Sequence, residues 1–207
     1  MFQDLTLATA LFLLAASFFA GFIDSIAGGG GLIQLPALLI GLPKSETAEV
    51  LGTNKLSAVF GTTTAAALYR KQIKPDLGKF ENLRHLPKRR VQIAAFAGVV
   101  IGFYDGIFGP GTGSFLMLIL VASLGYAFIT ASAIAKVVNV ATNVGAIMVF
   151  GINGAVLWQI GIILGVANIS GAVLGARLAI KGGSTLVRKV FLLVTVALIV
   201  KVGIATF

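Results

Sequence analysis

Long apolar runs are the feature of this sequence that most constrains its fold. A helix rises 1.5 Å per residue, so about 20 apolar residues cross a hydrocarbon core of roughly 30 Å. Runs of that length recur along the chain. Of its 207 residues, 57% are hydrophobic and only 11% are charged, whereas a soluble domain carries about a quarter charged residues. The sequence therefore predicts an integral membrane protein.

The lengths of these runs separate spanning helices from shorter ones. We expect spanning helices near residues 6–26, 47–69, 91–108, 128–150, 154–180 and 185–206. Two further apolar stretches, 32–42 and 114–125, would reach only about 16 to 20 Å as helices. Each short stretch directly follows a glycine-rich break. The predicted fold class is all-α: a polytopic transmembrane helical bundle with interrupted short helices.

The residue types exclude several kinds of chemistry. The chain has no cysteine and a single histidine, His85, so disulfides, thiolate metal sites and histidine clusters are excluded. The GPGTGS motif lacks the Gly-Lys-Ser/Thr ending of a phosphate-binding loop. His85 lies in a polar loop, so a serine in the membrane would have no histidine base. We expect no enzymatic activity, no cofactor, no metal and no nucleic-acid partner.

A polar segment over residues 70–90 holds eight of the sixteen basic residues. Lysine and arginine accumulate in short loops on the cytoplasmic side of a membrane, so we place this loop in the cytoplasm. If the loop instead presents a basic face to anionic lipid, it lies on the same side. The lipid bilayer is therefore an expected partner.

The sequence repeats itself at a lag of 81 residues without a gap. Residues 20–31 (AGFIDSIAGGGG) fall on 101–112 (IGFYDGIFGPGT), with Asp24 on Asp105. The same lag places Lys55 on Lys136. A lysine within an apolar span is rare, so two at equivalent places indicate two copies of one unit. We divide the chain into a first repeat, 1–69, the basic loop, 70–90, and a second repeat, 91–207.

Counting crossings from the cytoplasmic loop gives the two copies opposite orientations. If every segment crosses, 6–26 runs from outside to inside and 91–108 runs from inside to outside. The count also returns 154–180 to the cytoplasm at a second basic cluster, Arg177, Lys181, Arg188 and Lys189. Treating the short stretches as re-entrant would put that cluster outside. Inverted repeats with interrupted helices are typical of secondary transporters, whose sites lie near the membrane midplane.

The glycine-rich breaks are candidate anion sites. A helix that begins inside the membrane presents unpaired N–H groups and the positive end of its dipole, and glycine lets a ligand approach closely. Two such helix beginnings could face each other. The alternative is that the glycines only permit close helix packing. The candidate residues are Gly28, Gly29, Gly30 and Gly31 in the first copy, and Gly109, Gly111, Thr112 and Gly113 in the second.

The two lysines make an anion site more plausible. Each costs about 2.5 to 3.5 kcal/mol at the centre of a membrane helix, so each needs a carboxylate, water or a bound anion. Lys55 and Lys136 could pair with Asp24 and Asp105 as a neutral structural core. They could instead neutralise a bound anion, with an aspartate tuning them or carrying a proton. Nearby polar candidates are Thr53, Asn54, Ser57, Asn139, Thr142 and Asn143.

The repeated motifs resemble a known family. GFIDSIAGGGGLIQLPALL with LGTNKLSAVFGTTTAAALYR, and GFYDGIFGPGTGSFLMLIL with AIAKVVNVATNVGAIMVF, are similar to the sulfite exporter TauE/SafE family, also called toluene sulfonate uptake permeases. The resemblance implies a multi-pass carrier of the bacterial inner membrane for sulfite, organosulfonates or related sulfur-containing anions. The positions that the resemblance implies for the site are Asp24, Gly28 to Gly31, Thr53, Asn54, Lys55, Asp105, Gly109, Gly111, Gly113, Lys136 and Asn139.

This chain departs from the family pattern after Tyr69. Family members usually have a helix pair there, whereas this sequence has a 21-residue loop. The absence removes an even number of crossings, so the orientation argument is unchanged. We expect a secondary transporter, an exporter working by alternating access; the alternatives are an anion channel and an accessory subunit that transports nothing. A carrier without these two helices could rely on a partner chain, and a homo-oligomer is one such arrangement.

Overall fold

A computed structural model of the chain describes residues 6–72 and 88–206, and within these ranges it is helical with no strand. The all-α prediction is therefore confirmed. The helices are α1 (Leu7–Ala27), α2 (Gly31–Gly41), α3 (Thr47–Gln72), α4 (Lys88–Ile107), α5 (Thr112–Leu124), α6 (Phe128–Ile152) and α7 (Trp158–Thr206).

The short helices follow the glycine breaks as predicted. Helix α2 has 11 residues and α5 has 13, too few to cross a bilayer. The predicted break between the spans 154–180 and 185–206 is confirmed. Helix α7 begins at Trp158 and consists of two helical segments that meet at a kink at Gly183, where φ is 60° and ψ is −160°. Glycine adopts this positive φ without the steric cost that a side chain would bring.

Three helices of the described residues are long and apolar enough to cross a membrane: Leu7–Ala27, Phe128–Ile152 and Trp158–Val196. The predicted spans 47–69 and 91–108 form helices but do not reach this apolar composition. Helix α3 is long enough, yet it carries Lys55 and many hydroxyl side chains. Helix α4 opens with three basic residues, and its apolar part is only Ala95–Ile107.

The predicted basic loop, 70–90, lies mostly outside the described residues, which omit 73–87. Its two ends are helical, because α3 continues to Gln72 and α4 begins at Lys88. The division into a first repeat, a loop and a second repeat stays a prediction.

The interior consists of two apolar clusters with polar side chains between them. One cluster includes Leu13 of α1, Val50 of α3 and Leu164 of α7. The other includes Ile26 of α1, Tyr69 of α3 and Ala176 of α7. Along all three helices, the residues between these positions carry the buried polar groups, among them Ser17, Lys55 and Asn168. The polar layer therefore crosses the middle of the bundle.

Helix α1 ends inside the bundle, where its last carbonyl groups need donors. Three hydroxyl groups from other helices supply them. Tyr69 donates to the carbonyl of Ser25 at 2.8 Å, Ser132 to that of Ile26 at 2.9 Å and Ser114 to that of Ala27 at 3.1 Å. These bonds stabilise a helix end that would otherwise be costly away from water. The glycine break after α1 is thereby fixed in the interior.

Helices α3 and α6, which the repeat makes equivalent, run antiparallel. A Cβ at Gly52 would lie 2.9 Å from Phe150 Cβ, Asn143 donates to Thr62 at 3.5 Å, and Ser132 lies 3.5 Å from the Tyr69 hydroxyl. Later positions in α3 therefore meet earlier positions in α6. Opposite directions for these two helices are what inverted copies require.

The equivalent helices α1 and α4 differ in how they are covered. Helix α1 packs most extensively against α7, with Gly21 directly against Asn168. The corresponding position on α4, Gly102, has only a Thr142 methyl 3.8 Å from where its Cβ would be. Large side chains on α4, Phe96 and Phe103 among them, are about three-quarters exposed. Within residues 6–72 and 88–206, an α7-like partner thus covers only one copy.

This difference predicts opposite effects of the same substitution at equivalent positions. Gly21→Ala would place a methyl group 2.8 Å from Asn168 Oδ1, and overpacking of this kind costs about 1–3 kcal/mol. Gly102→Ala makes only an ordinary van der Waals contact with Thr142 and removes a helix-interior glycine, which favours the folded state by roughly 0.5–1 kcal/mol. Thermal unfolding of both variants in detergent should show a lower melting temperature for Gly21→Ala alone. Equal shifts would contradict the packing described here.

Candidate functional site

A small cavity lies in the polar layer. Its volume is about 30 Å³, enough for about two water molecules. The side chains and glycines that line it come from all seven described helices and both glycine breaks. They are Ala20, Asp24, Gly29, Gly30, Gly31, Gln34, Asn54, Lys55, Ala58, Thr62, Asp105, Gly109, Gly113, Asn139, Asn143 and Asn168.

Two ion pairs lie at the cavity, one buried and one partly buried, and both cross from one sequence copy to the other. Lys55 Nζ donates to Asp105 Oδ1 at 2.8 Å, and Lys136 Nζ donates to Asp24 Oδ2 at 2.9 Å. The lysine side chains are 2% and 0% exposed. Asp105 also accepts from the Thr142 hydroxyl. Such hydrogen bonds are what a buried ion pair requires to offset its loss of hydration.

The crossed pairs show that the lysines bond to aspartates in this structure, one of the two arrangements that the sequence left open. Each lysine has a carboxylate partner, so the four ionised groups sum to zero charge. The pocket in this structure is therefore neutral, and a net positive pocket would require a pair to separate. The cavity nevertheless lies beside these pairs, with Lys55 and both aspartates in its wall and Lys136 reaching it through Asp24.

The contacts also show the reciprocity that a two-fold axis produces. Lys55 of the first copy meets Asp105 of the second, while Lys136 of the second meets Asp24 of the first. Thr62 and Asn143 are themselves 81 positions apart and contact each other. The predicted inverted repeat would place its two-fold axis at this contact, and both residues line the cavity.

The two glycine breaks pack against each other, as the sequence predicted for facing helix beginnings. A Cβ at Gly28 would lie 2.7 Å from Gly113 Cα, and Gly28 has φ of +79°, so both space and conformation require glycine. At Gly109 a Cβ would contact the Lys55 ammonium group and lie 3.1 Å from Asp105 Oδ1. These glycines therefore serve close packing, and Gly109 also makes room for the lysine.

The expectation of unpaired N–H groups at α2 is wrong for several positions. The amide of Gly30 donates to Asp24 Oδ1 at 3.3 Å. The amides of Leu32, Ile33 and Gln34 donate to the carbonyls of Gly29 and Gly30. This tight first turn satisfies donors that an anion would otherwise take. Charged and amide side chains are therefore the main polar groups at the cavity.

Ten of the fifteen predicted site residues line the cavity, and five do not. Thr53 accepts from the amide of Leu157 at 2.9 Å and so supports the beginning of α7. Thr112 donates to the Gly109 carbonyl at 2.8 Å within its own loop. Gly28, Gly111 and Lys136 also lie outside the wall, although Lys136 is bonded to Asp24 within it. The structure thus brings both copies' acids and lysines together but directs the two threonines elsewhere.

The sequence reasoning missed two amides in the wall, Gln34 of α2 and Asn168 of α7. Gln34 is 2% exposed and Asn168 is 3% exposed. Both could have been found as polar amides inside apolar stretches, the signal that identified the lysines. Neither has a polar counterpart in the repeat, since Phe115 corresponds to Gln34 and position 168 lies beyond the first copy's match.

Three buried side-chain atoms have no hydrogen-bond partner among the described residues: Gln34 Nε2, Asn54 Oδ1 and Asn139 Oδ1. All three residues line the cavity. A polar atom buried without a partner costs about 1–3 kcal/mol, so such atoms are rare in folded proteins. Their concentration at one small cavity marks it as a place where a polar molecule would bind.

The comparisons with known proteins agree with this architecture. The family described as "Sulfite exporter TauE/SafE" matches residues 13–80 and 77–202. The chain belongs to this family. Its matched relatives include a "Probable membrane transporter protein ORF9" of Sinorhizobium sp., 35% identical over 96% of this chain and 94% of that protein. The YfcA "Probable membrane transporter protein" of Escherichia coli K12 is 30% identical over 97% of this chain and 93% of that protein. No solved structure matches.

The family and its relatives identify the chain as a membrane transporter. The alignment with the Sinorhizobium protein runs over 248 positions, whereas this chain has 207 residues, so at least 41 positions (248 − 207 = 41) are gaps here. That number corresponds to about two membrane helices of roughly 20 residues each. It agrees in size with the helix pair that the sequence predicts to be absent after Tyr69.

The ion pairs predict a characteristic pattern of stability. Lys55→Met leaves the Asp105 carboxylate buried without its ammonium partner, and breaking a buried pair in this way costs about 3–5 kcal/mol. The double variant Lys55→Met with Asp105→Asn removes both charges and should recover most of the loss. The measurement is thermal unfolding of purified protein in detergent, with the exposed Lys181→Met as control. A double variant no more stable than Lys55→Met would contradict the pairing.

Proposed function

We propose that this chain is a secondary transporter of the bacterial inner membrane that exports sulfite, an organosulfonate or a related small sulfur-containing anion by alternating access. The family supplies the transporter class and suggests the kind of anion. The observation that carries the proposal is the cavity in the polar layer, lined by Lys55 and by buried amides with unpartnered atoms.

The lysines would bind the anion by exchanging one partner for another. Each ammonium now bonds to a carboxylate of the opposite copy, at 2.8 and 2.9 Å. A sulfur oxyanion presents oxygen atoms with similar negative charge, so it could replace a carboxylate at the ammonium group. A displaced aspartate would be costly as a free charge in this buried layer, and a proton would neutralise it. Asp24 and Asp105 are therefore proposed as the coupling residues.

The size of the cavity favours a carrier over a fixed pore. About 30 Å³ holds about two waters, whereas a sulfur oxyanion has at least four heavy atoms. Binding therefore requires the helices around the cavity to separate, and separation would loosen the crossed pairs that join the copies. Relative movement of two repeats around a central site is how alternating access works in transporters of this design.

The proposal predicts saturable flux that depends on both lysines. Purified protein in proteoliposomes should move sulfite or a short alkyl sulfonate, with a rate that saturates and changes with a pH gradient. The charge-neutral pairs Lys55→Gln with Asp105→Asn, and Lys136→Gln with Asp24→Asn, keep the site uncharged but remove the ammonium groups. Each should reduce binding roughly tenfold or more, because hydrogen bonds to charged groups contribute about 1.5–3 kcal/mol.

Controls separate this proposal from its alternatives. Empty liposomes and the exposed variant Lys181→Gln define the background and the unperturbed protein. Flux that scales with voltage and does not saturate would favour an anion channel. Absence of both flux and anion binding with folded protein would favour an accessory subunit. Full activity in both charge-neutral pairs would refute the assignment of the lysines.

A further inference from the structure

Gln34 and Asn168 form a chain of amide hydrogen bonds that ends at the cavity. Asn168 Nδ2 donates to the backbone carbonyl of Ser17 at 3.2 Å and to Gln34 Oε1 at 3.1 Å. Gln34 Nε2, the other polar atom of the Gln34 amide, has no partner among the described residues. Gln34 is 2% exposed, and both amides belong to the cavity wall.

The direction of this chain is set by its first bond. A backbone carbonyl can only accept, so Asn168 must present its NH₂ group to Ser17. The second hydrogen of the same NH₂ group then requires an acceptor, which is the Gln34 oxygen. The Gln34 NH₂ group must therefore point the other way. Because the Ser17 carbonyl can only accept, the unpartnered atom of Gln34 is its donor, Nε2. No other orientation of the two amides satisfies both hydrogen bonds.

Asn168 is held where it is by two glycines. A Cβ at Gly21 of α1 would lie 2.8 Å from Asn168 Oδ1, and a Cβ at Gly61 of α3 would contact the same oxygen even more closely. The asparagine therefore fits between α1 and α3, where a larger neighbour would displace it. This packing leaves Asn168 little freedom to turn. The orientation of Gln34 is therefore fixed from three helices.

We propose that Gln34 is a substrate-binding residue that donates a hydrogen bond from Nε2 to an oxygen of the anion, and that Asn168 is the positioning residue that aims it. The proposal rests on the proposed function, because it assigns a third donor to the same anion site. The two lysines supply charge, while a fixed neutral donor supplies direction. The ligand class is a sulfur oxyanion that presents an oxygen toward α2.

The test is calorimetric titration of purified, full-length protein with sodium sulfite at fixed pH and ionic strength. Gln34→Met keeps the volume but removes the donor, and should weaken binding about ten- to a hundredfold. Gln34→Glu places an acceptor at the cavity and should bind at least as weakly as Gln34→Met. The exposed Gln159→Met is the matched control and should bind like the unaltered chain.

The positioning role of Asn168 has its own readout. In Asn168→Asp the carboxylate can only accept, so it would attract the Gln34 NH₂ group and turn the Gln34 oxygen toward the cavity. Binding should weaken as much as in Gln34→Met, although Gln34 is still present. The double variant should be no weaker than either single variant, since both remove one bond. A residue that acted only on stability would not produce this coupling.

The outcomes distinguish this proposal from the one it rests on. If the unaltered chain binds sulfite and folded Gln34→Met binds it equally well, the Gln34 assignment is overturned while the anion site stands. Additive losses for Gln34→Met and Asn168→Asp would overturn the positioning role. If the unaltered chain binds neither sulfite nor a short alkyl sulfonate, the proposed function fails, and this proposal fails with it.

Discussion

The crossed ion pairs are the constraint on which the rest of this structure depends. An ammonium group in the middle of a membrane bundle needs a negative partner, and each lysine bonds directly to a carboxylate of the opposite copy. Each copy is therefore electrostatically incomplete without the other. Lys55 and Lys136 hold α3 against α4 and α6 against α1, and the cavity lies between these connections. A molecule that separates a pair changes the packing of both copies together.

The glycine breaks make this arrangement sterically feasible. Gly28 lets the two breaks approach each other, and Gly109 leaves space for the Lys55 ammonium group. On the outside of the bundle, the symmetry is incomplete. Helix α7 covers α1 through Asn168, whereas the equivalent face of α4 is largely exposed. The alignment with the Sinorhizobium relative leaves at least 41 gap positions in this chain, about the length of the helix pair that would supply the missing cover.

Much of the fold and part of the site could be predicted from sequence, for identifiable reasons. Apolar run length gave most helix positions, and the lag of 81 residues found Asp24, Asp105, Lys55 and Lys136. The lag could not show which aspartate each lysine contacts. The two copies have the same spacing between aspartate and lysine, so the spacing does not distinguish a pair within one copy from a pair between copies. That choice depends on how the copies pack. The directions of the Thr53 and Thr112 hydroxyls likewise depend on tertiary neighbours.

Gln34 and Asn168 show a different limit. Neither amide has a polar counterpart at the lag of 81 residues that identified the lysines and aspartates. Their importance follows from a hydrogen-bond chain that begins at a backbone carbonyl, which no sequence pattern reveals. The interruption at Gly183, by contrast, was predicted approximately, since glycine and polar residues separated two apolar runs. The helix nevertheless resumes directly after it.

We propose that an anion bound in the cavity takes a carboxylate's place at a lysine, and an experimental structure of the protein with bound sulfite tests this exchange most directly. We expect sulfite oxygens within hydrogen-bond distance of Lys55 or Lys136 Nζ, with the corresponding Asp105 or Asp24 carboxylate displaced from its ammonium partner. Sulfite bound elsewhere, with both ion pairs intact, would contradict it.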